Sequence, residues 1–107
     1  LDPEYANAYN SRGLAYFDIG EHQRAIQDFD KVIQLNPDYA IGYFWRGLAY
    51  VNLGEHQRAI QDYDKAIQLD PNDPWGYNFR GRAYQKLGQA SKAKQDFAKF
   101  RSLAPKM

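Results

Sequence analysis

The chain has 107 residues, 14 basic and 13 acidic side chains and a formal net charge of +1, so it is one domain by length. It lacks the clustered positive charge that a nucleic-acid or anionic-membrane surface needs, and neither partner is expected. It contains no cysteine, which excludes disulfides and thiolate chemistry and leaves the redox compartment unreadable, and no apolar run approaches the ~20 residues that span a bilayer.

Along the chain, Asp2 before Pro3 places a capping side chain ahead of a proline at a first helical position. This predicts a helix over 3–19. Tyr9, Gly13 and Tyr16 form one stripe of it at helical spacing, and the stripe is assigned to the core. Gly20 is a natural left-handed stop. A second helix is expected over 22–35, carrying Ala25, Phe29 and Val32. Asn36-Pro37 repeats the cap-and-proline pair and predicts a helix over 37–53, with Tyr43, Gly47 and Tyr50 inward and Gly54 as its stop. The next helix is expected over 56–69. Asp70-Pro71 opens another over 71–87, with Tyr77, Gly81 and Tyr84, and Gly88 ends it. The last helix is expected over 90–103.

The elements recur. Residues 20–35 read GEHQRAIQDFDKVIQL and residues 54–69 read GEHQRAIQDYDKAIQL, an offset of 34, with changes only at Phe29/Tyr63 and Val32/Ala66. A looser copy, GQASKAKQDFAKFRSL, runs from Gly88 to Leu103, and prolines fall at Pro3, Pro37, Pro71 and Pro105. Periodicity of that length is the signature of stacked helix–turn–helix units. Short links make successive helices antiparallel neighbours.

With repeats counted from Ala6, Ala40 and Pro74, the pattern resembles the tetratricopeptide repeat family. Its aromatic at position 4 is Tyr9, Tyr43 and Tyr77, and its small residue at position 8 is Gly13, Gly47 and Gly81. Its tyrosine at 11 is Tyr16, Tyr50 and Tyr84. Its alanine at 20 is Ala25, Ala59 and Ala93, its aromatic at 24 is Phe29, Tyr63 and Phe97, and its proline at 32 is Pro37, Pro71 and Pro105. One departure recurs: position 7, often leucine in the family, is Arg12, Arg46 and Arg80. The resemblance implies an all-α, right-handed α-solenoid of three antiparallel hairpins, spanning 6–39, 40–73 and 74–107. It implies a protein-interaction module without cofactor.

Two charge patterns need a reading. Arg12, Arg46 and Arg80 recur with Asp28, Asp62 and Asp96. An arginine beside a core stripe needs a partner, so ion pairs tying the two helices of each repeat are favoured over a ladder of anion-binding groups. The acid pairs Asp28/Asp30 and Asp62/Asp64 sit two apart on a helix, diverge, and read as solvated surface. The only histidines, His22 and His56, occupy one repeat position without further metal ligands at suitable spacing, and are expected to pack as aromatic-like residues. Ser11, Ser91 and Ser102 sit in plain helical context, and the glycines are packing and turn residues. No constellation supports catalysis, and no metal site is expected.

The resemblance implies a concave groove lined by positions 2, 5, 6, 9, 12 and 13 of each first helix. Here the binding candidates are Asn10, Leu14 and Phe17 in repeat 1; Ile41, Phe44, Trp45 and Leu48 in repeat 2; and Trp75, Asn78, Phe79, Arg82 and Lys86 in repeat 3. Phe44, Trp45, Trp75 and Phe79 would form an aromatic cluster with basic residues toward one end. An exposed patch of that kind marks an interaction site. Some family members grip a C-terminal carboxylate through Lys, Asn and Arg at positions occupied here by Asn10, Leu14, Trp45, Trp75 and Phe79. None of these matches. The rival to a peptide- or helix-binding groove is a structural spacer or a stack that self-associates through its ends or groove.

The ends differ. Leu1 to Tyr5 match Leu35 to Tyr39 and read as the tail of a preceding repeat, with Ala8 and Ala15 small enough to admit a preceding helix. At the other end, Ile26 and Ile60 become Lys94, and Ile33 and Ile67 become Arg101. A terminal repeat must turn its outer face polar, so repeat 3 reads as the end of the array.

Overall fold

A computed structural model describes residues 3–104. It contains six helices: α1 (Pro3–Asp18), α2 (His22–Leu35), α3 (Ala40–Asn52), α4 (His56–Leu69), α5 (Pro74–Lys86) and α6 (Ala90–Leu103). The expected features at Leu1, Asp2 and Pro105 lie outside the described residues. Helices pair as hairpins α1–α2, α3–α4 and α5–α6, and the second helix of each hairpin packs on the first helix of the next. Helices α1, α3 and α5 also touch one another along the array, whereas α2, α4 and α6 do not. The first helices therefore line the inside of a curved stack, and the second helices spread around its outside. The whole measures 39 × 26 × 25 Å.

The glycine stops hold. Gly20, Gly54 and Gly88 have φ of 82°, 78° and 75°, the left-handed region that a Cβ disfavours. Around Gly54 the Glu55 N–H donates to the Tyr50 carbonyl at 2.9 Å and the Gly54 N–H to the Val51 carbonyl at 2.9 Å. This pair of bonds satisfies the last carbonyls of α3 and turns the chain back in one residue.

The helix starts are a correction. The two inner cap-and-proline pairs do not open α3 and α5. Asn36 and Asp70 close α2 and α4, with φ of −144° and −141°, because a residue before proline is driven out of the helical region. Their N–H groups still reach Val32 and Ala66 carbonyls at 2.8 and 2.9 Å. The chain then turns, with Tyr39 N–H on the Asn36 carbonyl at 3.2 Å and Asp73 N–H on the Asp70 carbonyl at 3.3 Å. A cap-and-proline start does occur at Asp73-Pro74, where the Asp73 carboxylate accepts from the Trp75 N–H at 3.0 Å. Tyr39, at the same place in repeat 2, makes no such bond. Pro3 to Tyr5 are helical, unlike their turn-forming equivalents.

Each hairpin is held by an aromatic ring laid on a glycine. A Cβ at Gly13 would stand 2.7 Å from the Phe29 ring, one at Gly47 2.7 Å from the Tyr63 ring, and one at Gly81 2.9 Å from the Phe97 ring. Phe29 and Tyr63 are fully buried, as are Ala25 and Ala59 beside them. Apart from Tyr77, which is buried as expected, the stripe tyrosines are less deep than a core assignment requires. Tyr9, Tyr16, Tyr43 and Tyr50 are half-buried and flank the recurrent arginines, Arg46 lying 5.7 Å from the Tyr43 ring and 6.0 Å from the Tyr50 ring.

Those arginines are bidentate to the acids expected. Arg46 Nε and Nη2 donate to Asp62 at 2.9 and 2.6 Å, and Arg12 and Arg80 treat Asp28 and Asp96 alike. The solvated reading of the acid pairs holds for Asp30 and Asp64 and is corrected for Asp28 and Asp62. Asp28 and Asp62 are buried. Asp30 and Asp64, though exposed, accept from Arg46 Nη1 at 2.9 Å and Arg80 Nη1 at 3.0 Å. Each of these two arginines thus holds its own hairpin and the one before it. The hydrogen bond to Asp62 raises Arg46 above its ordinary range against the cost of burial, and burial pushes Asp62 upward with Arg46 opposing.

Candidate functional site

The inner surface is built by α1, α3 and α5, with contributions reaching through from α2, α4 and α6. A run of aromatic rings crosses it. His22 meets Phe17 at 5.2 Å, Phe17 meets Trp45 at 5.6 Å, and Trp45 meets Phe44 at 5.9 Å. Phe44 then meets Phe79 at 5.4 Å, Phe79 meets Trp75 at 6.2 Å, and Trp75 meets Phe100 at 5.2 Å. Most of these contacts are edge-on or tilted, the arrangement that favours the ring quadrupoles. Three hairpins that share no covalent link at this surface are joined there by one stack of rings.

The rings are neither free nor covered. Phe17, Phe44, Trp45, Leu14, Leu48 and Phe79 are half-buried, and Phe44, Leu48 and Phe79 rest on the buried cluster of Ala59, Ile60, Tyr63 and Ala83. Ile41 and Trp75 are exposed, and Trp75 is 50% open. Arg82 and Lys86 are exposed, with the Arg82 guanidinium 4.8 Å from the centre of the Phe79 ring. Asn10 is half-buried. Asn78 departs from the expected lining: it is buried at 8% exposure. The amide oxygens of both asparagines are enclosed without a hydrogen-bond partner among the described residues.

Two depressions flank the ring stack. One of about 240 Å³ lies between α3 and α5, lined by Leu48, Val51, Phe79, Arg82, Lys86 and, from α4, His56 and Tyr63. The smaller, about 120 Å³, lies by the N-terminal ends of α3 and α5 and includes Ile41, Phe44, Asp70 and Asp73. The surface is therefore polarised, basic at one end and acidic at the other. Leu48, Phe79, Arg82 and Lys86 come together in the first depression, whereas Ile41 belongs to the second.

Sequence reasoning missed Tyr63 and His56 because they belong to a second helix. The signal for Tyr63 was present: its equivalents are Phe29 and Phe97, so it alone carries a hydroxyl. That hydroxyl is buried without a hydrogen-bond partner among the described residues. Burial pushes it well above the ordinary tyrosine range, Asp62 adds to the rise and Arg82 opposes it, so it is a neutral donor at the cavity wall. Phe100 was visible as an oversized residue where Val32 and Ala66 stand. His22 packs as the aromatic-like residue expected. Among the described residues no set of three His, Cys, Asp or Glu side chains gathers to hold a metal. None of the described helices is long and apolar enough to cross a membrane.

Models of the tetratricopeptide repeat match residues 1–40 and 11–74, and a second such model matches residues 62–95. No curated protein sequence matches the chain. Among solved structures, MamA is similar at 38% identity and a TM-score of 0.88, over 91% of this chain and 57% of MamA. The chain thus spans little more than half of that relative. The second tetratricopeptide domain of Spaghetti (RPAP3), bound to the HSP90 peptide SRMEEVD, is 30% identical with a TM-score of 0.90, over 92% of each chain. The second such domain of human RPAP3, in complex with the HSP70 peptide SGPTIEEVD, is also 30% identical, with a TM-score of 0.92 over 97% of this chain and 87% of the other. Period, helix order, glycine stops and these matches agree, and the chain belongs to the tetratricopeptide repeat family.

Proposed function

We propose that the chain is a protein-interaction module whose inner surface holds an extended or helical segment of a partner protein. The observation that carries this reading is the stack of rings from Phe17 to Trp75, which lies half-open beside a cavity of about 240 Å³. Burying an exposed aromatic is worth roughly 1.5–3 kcal/mol. A few such anchors leave roughly micromolar affinity after ordering costs. The related domains that bind chaperone peptides support a peptide as the ligand type. The residues here select a different peptide. Asn10, Leu14, Trp45, Trp75 and Phe79 supply no lysine for a terminal carboxylate, so the ligand is an apolar or aromatic-bearing segment. Its acidic part lies toward Arg82 and Lys86, which orient it more than they tighten it.

The test uses a peptide selected from a random library on the immobilised chain, with SRMEEVD as the comparison. Titration into wild type is expected to give about micromolar affinity for the selected peptide and none for SRMEEVD. A Trp45→Ala/Trp75→Ala variant with an unchanged circular-dichroism spectrum is expected to lose at least tenfold. Equal binding by that variant would rule out this surface.

A further inference from the structure

We propose that the ligand of the inner surface is an extended segment lying in the crevice between α3 and α5, with a basic residue at the Asp70 end, an acidic residue at the Arg82 end and apolar side chains between them. This deepens the reading of a partner-binding inner surface and rests on it. The two depressions belong to one crevice. Both are walled by α3 and α5 and have α4 behind them, through Ala66 and Ile67 at one end and His56 and Tyr63 at the other. Between them Phe44, which lines the smaller, meets Phe79, which lines the larger, at 5.4 Å. One residue keeps the larger depression open. Val51 lines it together with His56 and Phe79. The equivalent of Val51 in repeat 1 is Phe17, and its ring meets the equivalents of the other two, His22 at 5.2 Å and Trp45 at 5.6 Å. Phenylalanine thus fills between α1 and α3 what valine leaves empty between α3 and α5.

Charge says what fits at the two ends. Asp70 and Asp73 line the smaller depression, and Arg82 and Lys86 the larger. Among the described residues none of these four makes an ion pair, whereas Arg12, Arg46, Arg58 and Arg80 all do. The Asp73 carboxylate accepts from the Trp75 N–H through one oxygen, and Asp70 is exposed. Arg82 and Lys86 stand one turn apart on α5, where like charges repel, and an anion between them relieves the repulsion. The helix dipole favours acids at the start of α5 and cations at its end, but it does so in every first helix. The same places between α1 and α3 hold Asn36, Tyr39, Leu48 and Asn52, all neutral. From Asp73 to Lys86, α5 runs about 20 Å. An extended segment covers that distance in about six steps of roughly 3.3 Å and turns alternate side chains to one side. Helices α3 and α5 touch, so the crevice admits single side chains and not a helix about 10 Å wide.

The probe is the heptapeptide KTFTLTE, acetylated and amidated, whose lysine, phenylalanine, leucine and glutamate face one side when extended. It is titrated into the full chain by calorimetry at low ionic strength. Saturable binding is expected, and KTFTLTK and ETFTLTE are each expected to bind at least fivefold more weakly. Val51→Phe copies repeat 1 and fills the larger depression, and is expected to lose at least tenfold with an unchanged melting temperature. Asp70→Lys with Asp73→Ser, which exchanges one capping side chain for another, is expected to reverse the preference, so that ETFTLTE binds better than KTFTLTE. This second variant decides the matter alone if Val51→Phe lowers stability. The library-selected peptide keeps the crevice apart from the broader reading. If it binds and Trp45→Ala/Trp75→Ala loses it, while Val51→Phe and the charge variant treat every peptide as wild type does, the inner surface stands and the crevice is overturned. Equal affinity of wild type for the three heptapeptides, or none for KTFTLTE, would overturn it as well.

Discussion

Arg46 shows how much one side chain carries here. It makes three hydrogen bonds, two to a buried carboxylate and one to an exposed one, and lies between two tyrosine rings. Arg46→Ala would strand Asp62 in a site that already disfavours its charge. The expected loss is about 1–3 kcal/mol in urea unfolding. Arg12→Ala should cost less, since Arg12 is largely solvated and has one carboxylate partner among the described residues. Equal losses at the two positions would contradict the bridging role. The pairing within each repeat was legible because arginine and aspartate recur together at a spacing of 16. The bond to the preceding repeat has the same spacing in the opposite direction, Asp30 to Arg46. It was hidden because an acid two residues from another on a helix looks solvated until the next hairpin is laid beside it. Asn78 was misplaced because the neighbouring hairpins enclose it, whereas Asn10 and Phe44 at the same repeat position stay half-open.

At the level of elements, six helices and their order followed from the period of 34 and the glycine stops, and the helix ends fell within a residue of expectation. The starts of α3 and α5 did not. An Asx-Pro pair can open a helix or close the one before it, and the side chains alone do not decide. Four residues, 36–39 and 70–73, link the helices, so the pair is consumed in ending α2 and α4. This has a measurable consequence. Asp73→Ala removes the carboxylate that caps α5 and should cost about 1 kcal/mol. Asp70→Ala, which leaves Pro71 to enforce the turn, should cost less than about half of that. Thermal melting of the two variants separates the assignments, and a larger loss at Asp70 would restore the earlier one. The ring stack was legible as a cluster of exposed aromatics on first helices, but its continuation to His22 and Phe100 depends on second-helix residues.

For the molecule as a whole, the two outer faces are chemically opposite. On α6, Lys94 and Arg101 are exposed where Ile26, Ile60, Ile33 and Ile67 pack elsewhere. Lys94→Ile with Arg101→Ile would restore the apolar pattern of α2 and α4 on a face that no described helix covers. Sedimentation velocity is expected to show concentration-dependent self-association of the double variant; a monomer at all concentrations would remove the reason given for the polar face. The double-ended arginines set a further property, the degree to which the three hairpins unfold together. In a stacked array each unit has its own stability and a nearest-neighbour term. Asp30 and Asp64 contribute only to the second, because among the described residues each reaches a guanidinium in the following repeat and no other side-chain partner. Asp30→Asn with Asp64→Asn should therefore lower global stability by less than about 1 kcal/mol, the usual worth of an exposed pair. Its effect on cooperativity should be larger than that figure suggests. Native-state hydrogen exchange would then show α1–α2 opening at a lower free energy than α3–α4, so that the array frays from its first hairpin instead of melting as one body.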